Sequence, residues 1–250
     1  VTSALIADNT ITVGNMAAGT IKTPGSNNLA IGTSSLVDGS LSGQWNVAVG
    51  TDTLKENEGG LYNTAVGMKT LQAQTSASYN TAVGYNSGNA ITTGTNNTII
   101  GGLAGDATTT GERNTAVGTS SLTTNTTGSG NSAFGFKSLE NSTTASNNTA
   151  FGQDTLRATT TGTDNVAVGT NALTANTTAD SNVAIGKNTL SANTTATRIM
   201  AIRHAAYYGS DTESDNLAIG YNAMVTNTAG GTGNVCIGNY AGDAITSADD

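Results

Sequence analysis

Polar and small apolar residues alternate in one five-residue phrase, Asn-x-Ala-aliphatic-Gly, that returns along almost the whole chain. Clear copies read Asn63-Thr64-Ala65-Val66-Gly67 and Asn80-Thr81-Ala82-Val83-Gly84. The first places fall at residues 10, 28, 46, 63, 80, 97, 114, 131, 148, 165, 182, 199, 216 and 234, ten steps of 17 and three of 18. A unit this short cannot enclose a core alone, so fixed periodicity predicts stacked coils. Places two to four are β-formers around a small residue and predict one short strand per coil. The expected fold is all-β: a parallel β-solenoid of about 14 coils. Residues 1–250 read as a single repeat domain, with 1–27 an irregular first coil or cap.

Alternation sends places two and four to one face of the strand and places one and three to the other. Place four is always Val, Ile or Phe, as at Val49, Ile100, Phe134 and Ile219. It is expected to line the interior. Place three is Ala at Ala48, Ala65, Ala82, Ala116, Ala133, Ala150, Ala167 and Ala184, with Ile99 and Cys236 the exceptions from residue 28 onward. A solvent-facing row would admit Lys, Glu or Gln, and this one does not. The Ala row is therefore expected to pack against other copies of the chain, three about one axis.

Place five is Gly in every coil except at Arg203, which marks a turn with positive φ or a close backbone approach. Four residues later stands Leu, as at Leu122 and Leu139, replaced by Gly at Gly88, Gly105 and Gly242. Strands one coil apart are spaced by about 4.8 Å. The amides of Asn63, Asn80, Asn97, Asn114, Asn131, Asn148, Asn165 and Asn182 are then expected to form a hydrogen-bonded ladder.

Composition changes this picture little and excludes several functions. Hydrophobic residues make up 36% and charged residues 10%, too little apolar mass for a thick core and too little charge for a disordered polyelectrolyte. The net charge is −8 and the nine Lys and Arg form no stripe, which argues against nucleic acid as a partner. No apolar run is long enough to insert in a membrane. The first residues, Val1-Thr2-Ser3-Ala4, carry no signal-peptide pattern. Cys236, the lone cysteine, sits in the Ala place and reads as filler.

The repeat Asn-Thr-Ala-Val-Gly-x-x-x-Leu-x-x-Asn-Thr-Thr-Gly-x-x resembles the short repeats of phage tail-fibre and bacterial surface proteins. Its Asn-x-Ala-Ile/Val-Gly core also resembles the heads of YadA-like trimeric autotransporter adhesins, whose repeat is shorter than the one here. The resemblance implies a left-handed β-roll, a homotrimer, and an adhesive or host-recognition role.

The rhythm breaks once. Ile199 replaces Asn, Arg203 replaces Gly, and His204, Tyr207, Tyr208, Asp211, Glu213 and Asp215 follow. Arg and Tyr favour binding hot spots, so Arg203, His204, Tyr207, Tyr208, Asp211, Glu213 and Asp215 form a candidate receptor-contact bulge. Asp211, Glu213 and Asp215 alternate like the first ligands of a calcium loop, but the following Gly and the bidentate Glu are missing, so no metal site is assigned. A single His, His204, with no nucleophile motif beside it argues against an enzyme, and no cofactor is expected. Thr runs such as Thr108-Thr109-Thr110 and Thr159-Thr160-Thr161 do not recur at a strict place in every coil, which weakens an ice-binding solenoid. The expected function is an extracellular fibre shaft or head that binds a cell-surface glycan or protein receptor. A phage tail fibre on a virion is the first reading and a bacterial cell-surface adhesin the second.

Overall fold

The computed structural model describes residues 21–22, 27–36, 42–209, 212–227 and 231–245. The phrase at Thr10 and most of the expected cap lie outside these residues. Places two to four of each described phrase form a three-residue strand, from β2 (Leu29–Ile31) through β7 (Thr115–Val117) and β8 (Ser132–Phe134) to β13 (Leu217–Ile219) and β15 (Val235–Ile237). Each pairs in parallel and in register with its neighbour: Ala116 lies beside Ala133, and Val117 beside Phe134. Thirteen parallel strands thus build a β-solenoid of about 12 turns. At the first edge β1 (Ile21–Lys22) pairs antiparallel with β2. At the other end β14 (Thr226–Asn227) pairs in parallel with β16 (Ala244–Ile245).

Hydrogen bonds between coils continue around the circumference beyond the strands. Gly118 N–H donates to Ile100 O at 2.8 Å, Leu122 N–H to Ser138 O at 2.9 Å, and Thr126 N–H to Thr143 O at 2.8 Å. Backbone groups are satisfied from coil to coil, so a thin interior suffices.

That interior reverses the expected orientation of the strand. Ala48, Ala65, Ala82, Ala116, Ala133, Ala150, Ala167 and Ala184 are fully buried inside the single coil stack, and so are the place-one Asn residues from Asn46 to Asn182, apart from slight exposure at Asn97. Places two and four point outward and are half-buried or exposed, with Phe151 at 57%. The physical cause is the width of the coil. Leu at place nine, as in Leu122, Leu139 and Leu156, is fully buried and fills the lumen, leaving room only for Ala on the strand.

The exceptions show this volume rule at work. Where place nine is Gly105, place three of the same coil becomes Ile99; a Cβ on Gly105 would lie 3.1 Å from Ile99 Cδ1. Where it is Gly88, Ile91 fills the gap, 3.1 Å from such a Cβ. Both isoleucines are fully buried. Close-packed interiors conserve volume in this way.

Left-handed residues bend each coil at several places, and two of them carry distinct constraints. Leu at place nine is left-handed, with φ 53° at Leu122 and 52° at Leu139. Such a conformation costs about 1–2 kcal/mol for a side chain with a Cβ, and burying Leu offsets it with about 1.5–3 kcal/mol. Gly at place five is needed for a different reason: at Gly118, φ 133°, a Cβ would stand 2.5 Å from Gly135 O in the next coil.

Candidate functional site

The place-one amides stand in a continuous interior ladder. Asn131 N–H donates to Asn114 Oδ1 at 2.9 Å, and Asn148 N–H to Asn131 Oδ1 at 3.1 Å. The same pattern joins Asn63, Asn80, Asn97, Asn165 and Asn182. Each Nδ2 reaches across its own coil, as from Asn131 to Ala145 O at 2.8 Å. One amide thus ties two coils together and fastens the turn to the strand. This column is structural and is closed to ligands by its burial.

Among the described residues, the segment from Ile199 to Asp215 carries a compensated core change. Its strand, Met200–Ile202, keeps register with both neighbours. Ile199 removes an amide from the ladder, and Tyr207 occupies the Leu place and returns a polar group. Tyr207 is fully buried; its hydroxyl donates to Glu213 O at 2.8 Å and accepts from Asn216 Nδ2 at 2.7 Å. Tyr207 and Glu213 are therefore interior, contrary to the contact role expected of them. Glu213 is buried, its carboxylate accepting from Thr212 Oγ1 at 3.0 Å.

The other members of that set are spread over the surface. Arg203 Nη1 donates to Asn239 Oδ1, 36 residues away, at 3.0 Å, and holds a φ of 100°. His204 stacks on Tyr221 with ring centroids 5.4 Å apart. Tyr208 is exposed. Asp215 is held by Arg198 through two bonds of 2.6 and 2.8 Å, which draws its carboxyl below the ordinary range. Asp211 lies outside the described residues. Among the described residues no three His, Cys, Asp or Glu side chains form a metal-holding group.

The surface that stands out is the outer face of the parallel sheet. Place four presents Ile31, Val49, Val66, Val83, Ile100, Val117, Phe134, Phe151, Val168, Ile185, Ile202, Ile219 and Ile237 in one row. Beside it place two carries only Leu, Val, Thr, Ser and Met. No charge interrupts either row. Phe134 and Phe151 touch, with centroids 5.5 Å apart. Two further columns flank this face. The residue just before each phrase, place seventeen in a 17-residue coil, carries the exposed stack Trp45, Tyr62 and Tyr79, with centroids 4.9 and 5.1 Å apart. Place six carries exposed Met68, Tyr85, Phe136 and Tyr221.

The sequence reading missed this face because it placed the larger aliphatics inside. Two signals were present. Place three is held to Ala unless place nine gives up its Leu, which is the mark of a tight interior. Place four, by contrast, admits Phe134 and Phe151 beside intact Leu139 and Leu156.

A second regular surface lies opposite in sequence, at places thirteen and fourteen. Pairs of Thr recur there in seven consecutive coils, from Thr92-Thr93 to Thr194-Thr195, though not in every coil. Place thirteen has a structural task, since Thr126 Oγ1 donates to Thr143 O and Thr143 Oγ1 to Thr160 O, both at 3.0 Å.

Charge on the rod is sparse, and two ion pairs, Arg157 with Glu140 and Arg198 with Asp215, join successive coils. Arg157 Nε lies 2.7 Å from Glu140, one coil away, and Lys137 Nζ lies 3.2 Å from it. Desolvation pushes the Glu140 carboxyl up, but the two cations outweigh it and hold the group below the ordinary range. No protein-family model matches the chain, and no curated protein matches it either.

Proposed function

We propose that the chain is the shaft or head of an extracellular fibre whose rods associate with copies of themselves, in a homotrimer, through the outer face of the parallel sheet. The observation that carries this reading is the uninterrupted row of Val, Ile and Phe at place four, accompanied by an uncharged row at place two. Apolar patches of this extent mark interaction sites, and parallel sheets ordinarily have both faces covered. The sheet runs about 58 Å at the spacing of paired strands, and with its flanking columns spans about 15 Å. That is roughly 900 Å², above the approximately 800 Å² per partner of a stable interface. A second copy offers a matching uncharged surface by construction.

Such a fibre gains stiffness from its coil-to-coil bonds and displays loops many times along its length. These properties suit attachment to a cell-surface glycan or protein, on a phage tail fibre first and on a bacterial surface adhesin second, as the repeat's resemblance implies. Sedimentation equilibrium tests the reading. The wild type is expected to be oligomeric, and Val117→Glu combined with Val168→Glu to be monomeric with an unchanged circular dichroism spectrum. A monomeric wild type at tens of micromolar would remove the proposal.

The Thr columns support a second reading, adhesion to an ordered lattice such as ice. Place fourteen is Thr from Thr93 to Thr212 in every coil and exposed throughout. Place seventeen, equally exposed, changes from Trp to Tyr, Asn, Arg, Gly and Asp. Inhibition of ice recrystallisation that is lost in Thr144→Lys checks it; a wild type without inhibition ends it.

A further inference from the structure

Place twelve forms a second interior column, from Asn57 to Asn193. Every member is fully buried, and all are Asn, Gln, Thr or Ser except Ile91. Unlike the place-one ladder, this column changes residue from coil to coil and does not satisfy itself throughout. Among the described residues four buried side-chain polar atoms have no hydrogen-bond partner within the chain, and all four stand at place twelve: Thr108 Oγ1, Asn125 Oδ1, Ser142 Oγ and Asn193 Oδ1. The first three lie in successive coils. Such atoms cost free energy unless a partner reaches them.

Two coils show how the column closes where it is complete. Asn176 Nδ2 donates to Thr159 Oγ1 in the preceding coil at 3.3 Å and to Ala179 O of its own coil at 3.2 Å. Asn193 Nδ2 does the same, to Asn176 Oδ1 at 3.3 Å and to Ala196 O at 3.1 Å. The amide nitrogen at place twelve thus joins two fixed acceptors, the place-twelve oxygen one coil back and the place-fifteen carbonyl. Ser142 has no such nitrogen. Its side chain ends at Oγ, and the corresponding acceptors are Asn125 Oδ1 and Ala145 O. Asn125 Oδ1 is unpartnered. Ala145 O accepts from Asn131 Nδ2 at 2.8 Å and keeps a second lone pair. Ala179 O uses both of its own, accepting from Asn165 and Asn176.

We propose that Ser142 holds one internal water molecule, seated where the amide nitrogen of an Asn would stand. The water donates to Asn125 Oδ1 and to Ala145 O, and accepts from Ser142 Oγ. Three hydrogen bonds are the usual complement of a buried water. Two of the partners only accept, so the occupant must donate twice. All three are uncharged, which suits a neutral molecule and not an ion. The water then ties two coils together at a place where the side chain alone is too short to do so.

A crystal structure at a resolution that shows ordered water tests the site. A peak is expected within about 3.2 Å of Ser142 Oγ, Asn125 Oδ1 and Ala145 O, and in Ser142→Asn the side-chain amide is expected to take its position. A wild type with no peak there overturns the proposal. Stability in solution gives an independent check by its sign. If Ser142 Oγ anchors a water, Ser142→Ala removes a satisfied bond and lowers the urea midpoint. If the hydroxyl has no partner, the same change removes a buried orphan and leaves the midpoint unchanged or raised. The lowered midpoint is expected, and an unchanged or raised one overturns the site.

Discussion

Ala116 and Val117 are adjacent in one strand, yet they answer to different constraints. Ala116 is fully buried in the lumen of its own coil, while Val117 is half-buried on the outside, where the same chain supplies nothing to cover it. Inside, the limit is volume. A residue at place three grows only when place nine shrinks, as Ile99 and Gly105 show. Outside, the limit is chemical character: place four varies freely among Val, Ile and Phe but never acquires a charge. Uniform size therefore marks the interior of a narrow coil, and uniform hydrophobicity with variable size marks a face awaiting another surface.

The contrast breaks most sharply at the inward place. Ala116→Leu is expected to cost about 3 kcal/mol or more through overpacking, read as a lowered urea midpoint. Ala116→Ile together with Leu122→Gly, which copies the natural Ile99 and Gly105 pair, is expected to regain most of it. Failure of that rescue would show that volume is not the governing limit.

The interior ladder is expected to yield a slightly smaller effect. Asn131→Ala removes the acceptor of Asn148 N–H and the donor to Ala145 O. Leaving buried groups unsatisfied costs about 1–3 kcal/mol, and chemical denaturation measures it. The outward place is expected to behave oppositely. At concentrations where copies are dissociated, Val117→Glu shifts unfolding by no more than about 0.5 kcal/mol, while sedimentation records its loss of association.

The smallest effect is electrostatic. The folded state holds the Glu140 carboxyl below its ordinary range, so its contribution is present above the unfolded pKa and lost as pH falls through the folded one. Because Arg157 is exposed and Glu140 only half-buried, the loss is slight and is screened by salt. A pH titration of thermal stability is expected to show a shallow decline in the acid range, absent in Arg157→Gln. An unchanged decline in that variant would assign it to other carboxylates.

The coil at Ile199 teaches the same lesson from within the core. In sequence it reads as an interruption, since an amide and a Gly disappear and aromatics arrive. In the fold Ile199 and Tyr207 exchange the roles of amide and aliphatic, and the strand keeps its register. Adjacency in sequence drew Tyr207, Tyr208, Glu213 and Asp215 into one supposed contact site. The coil instead turns Tyr207 and Glu213 inward and leaves Tyr208 and Asp215 outside.

Repetition by itself determined the solenoid, the length of the coil, the strand within it, the glycine turn and the Asn ladder. Each follows from local chemistry recurring at a fixed spacing, because stacked identical units must pair like with like. Which face of the strand turns inward was decided only by tertiary structure. Alternation separates two faces but assigns neither, and hydrophobicity alone favours the wrong one. The assignment comes from the space that Leu122 and its counterparts leave in the lumen, a quantity set by residues six positions away and fixed only when the coil closes; the sequence carries its trace in the size limit at place three.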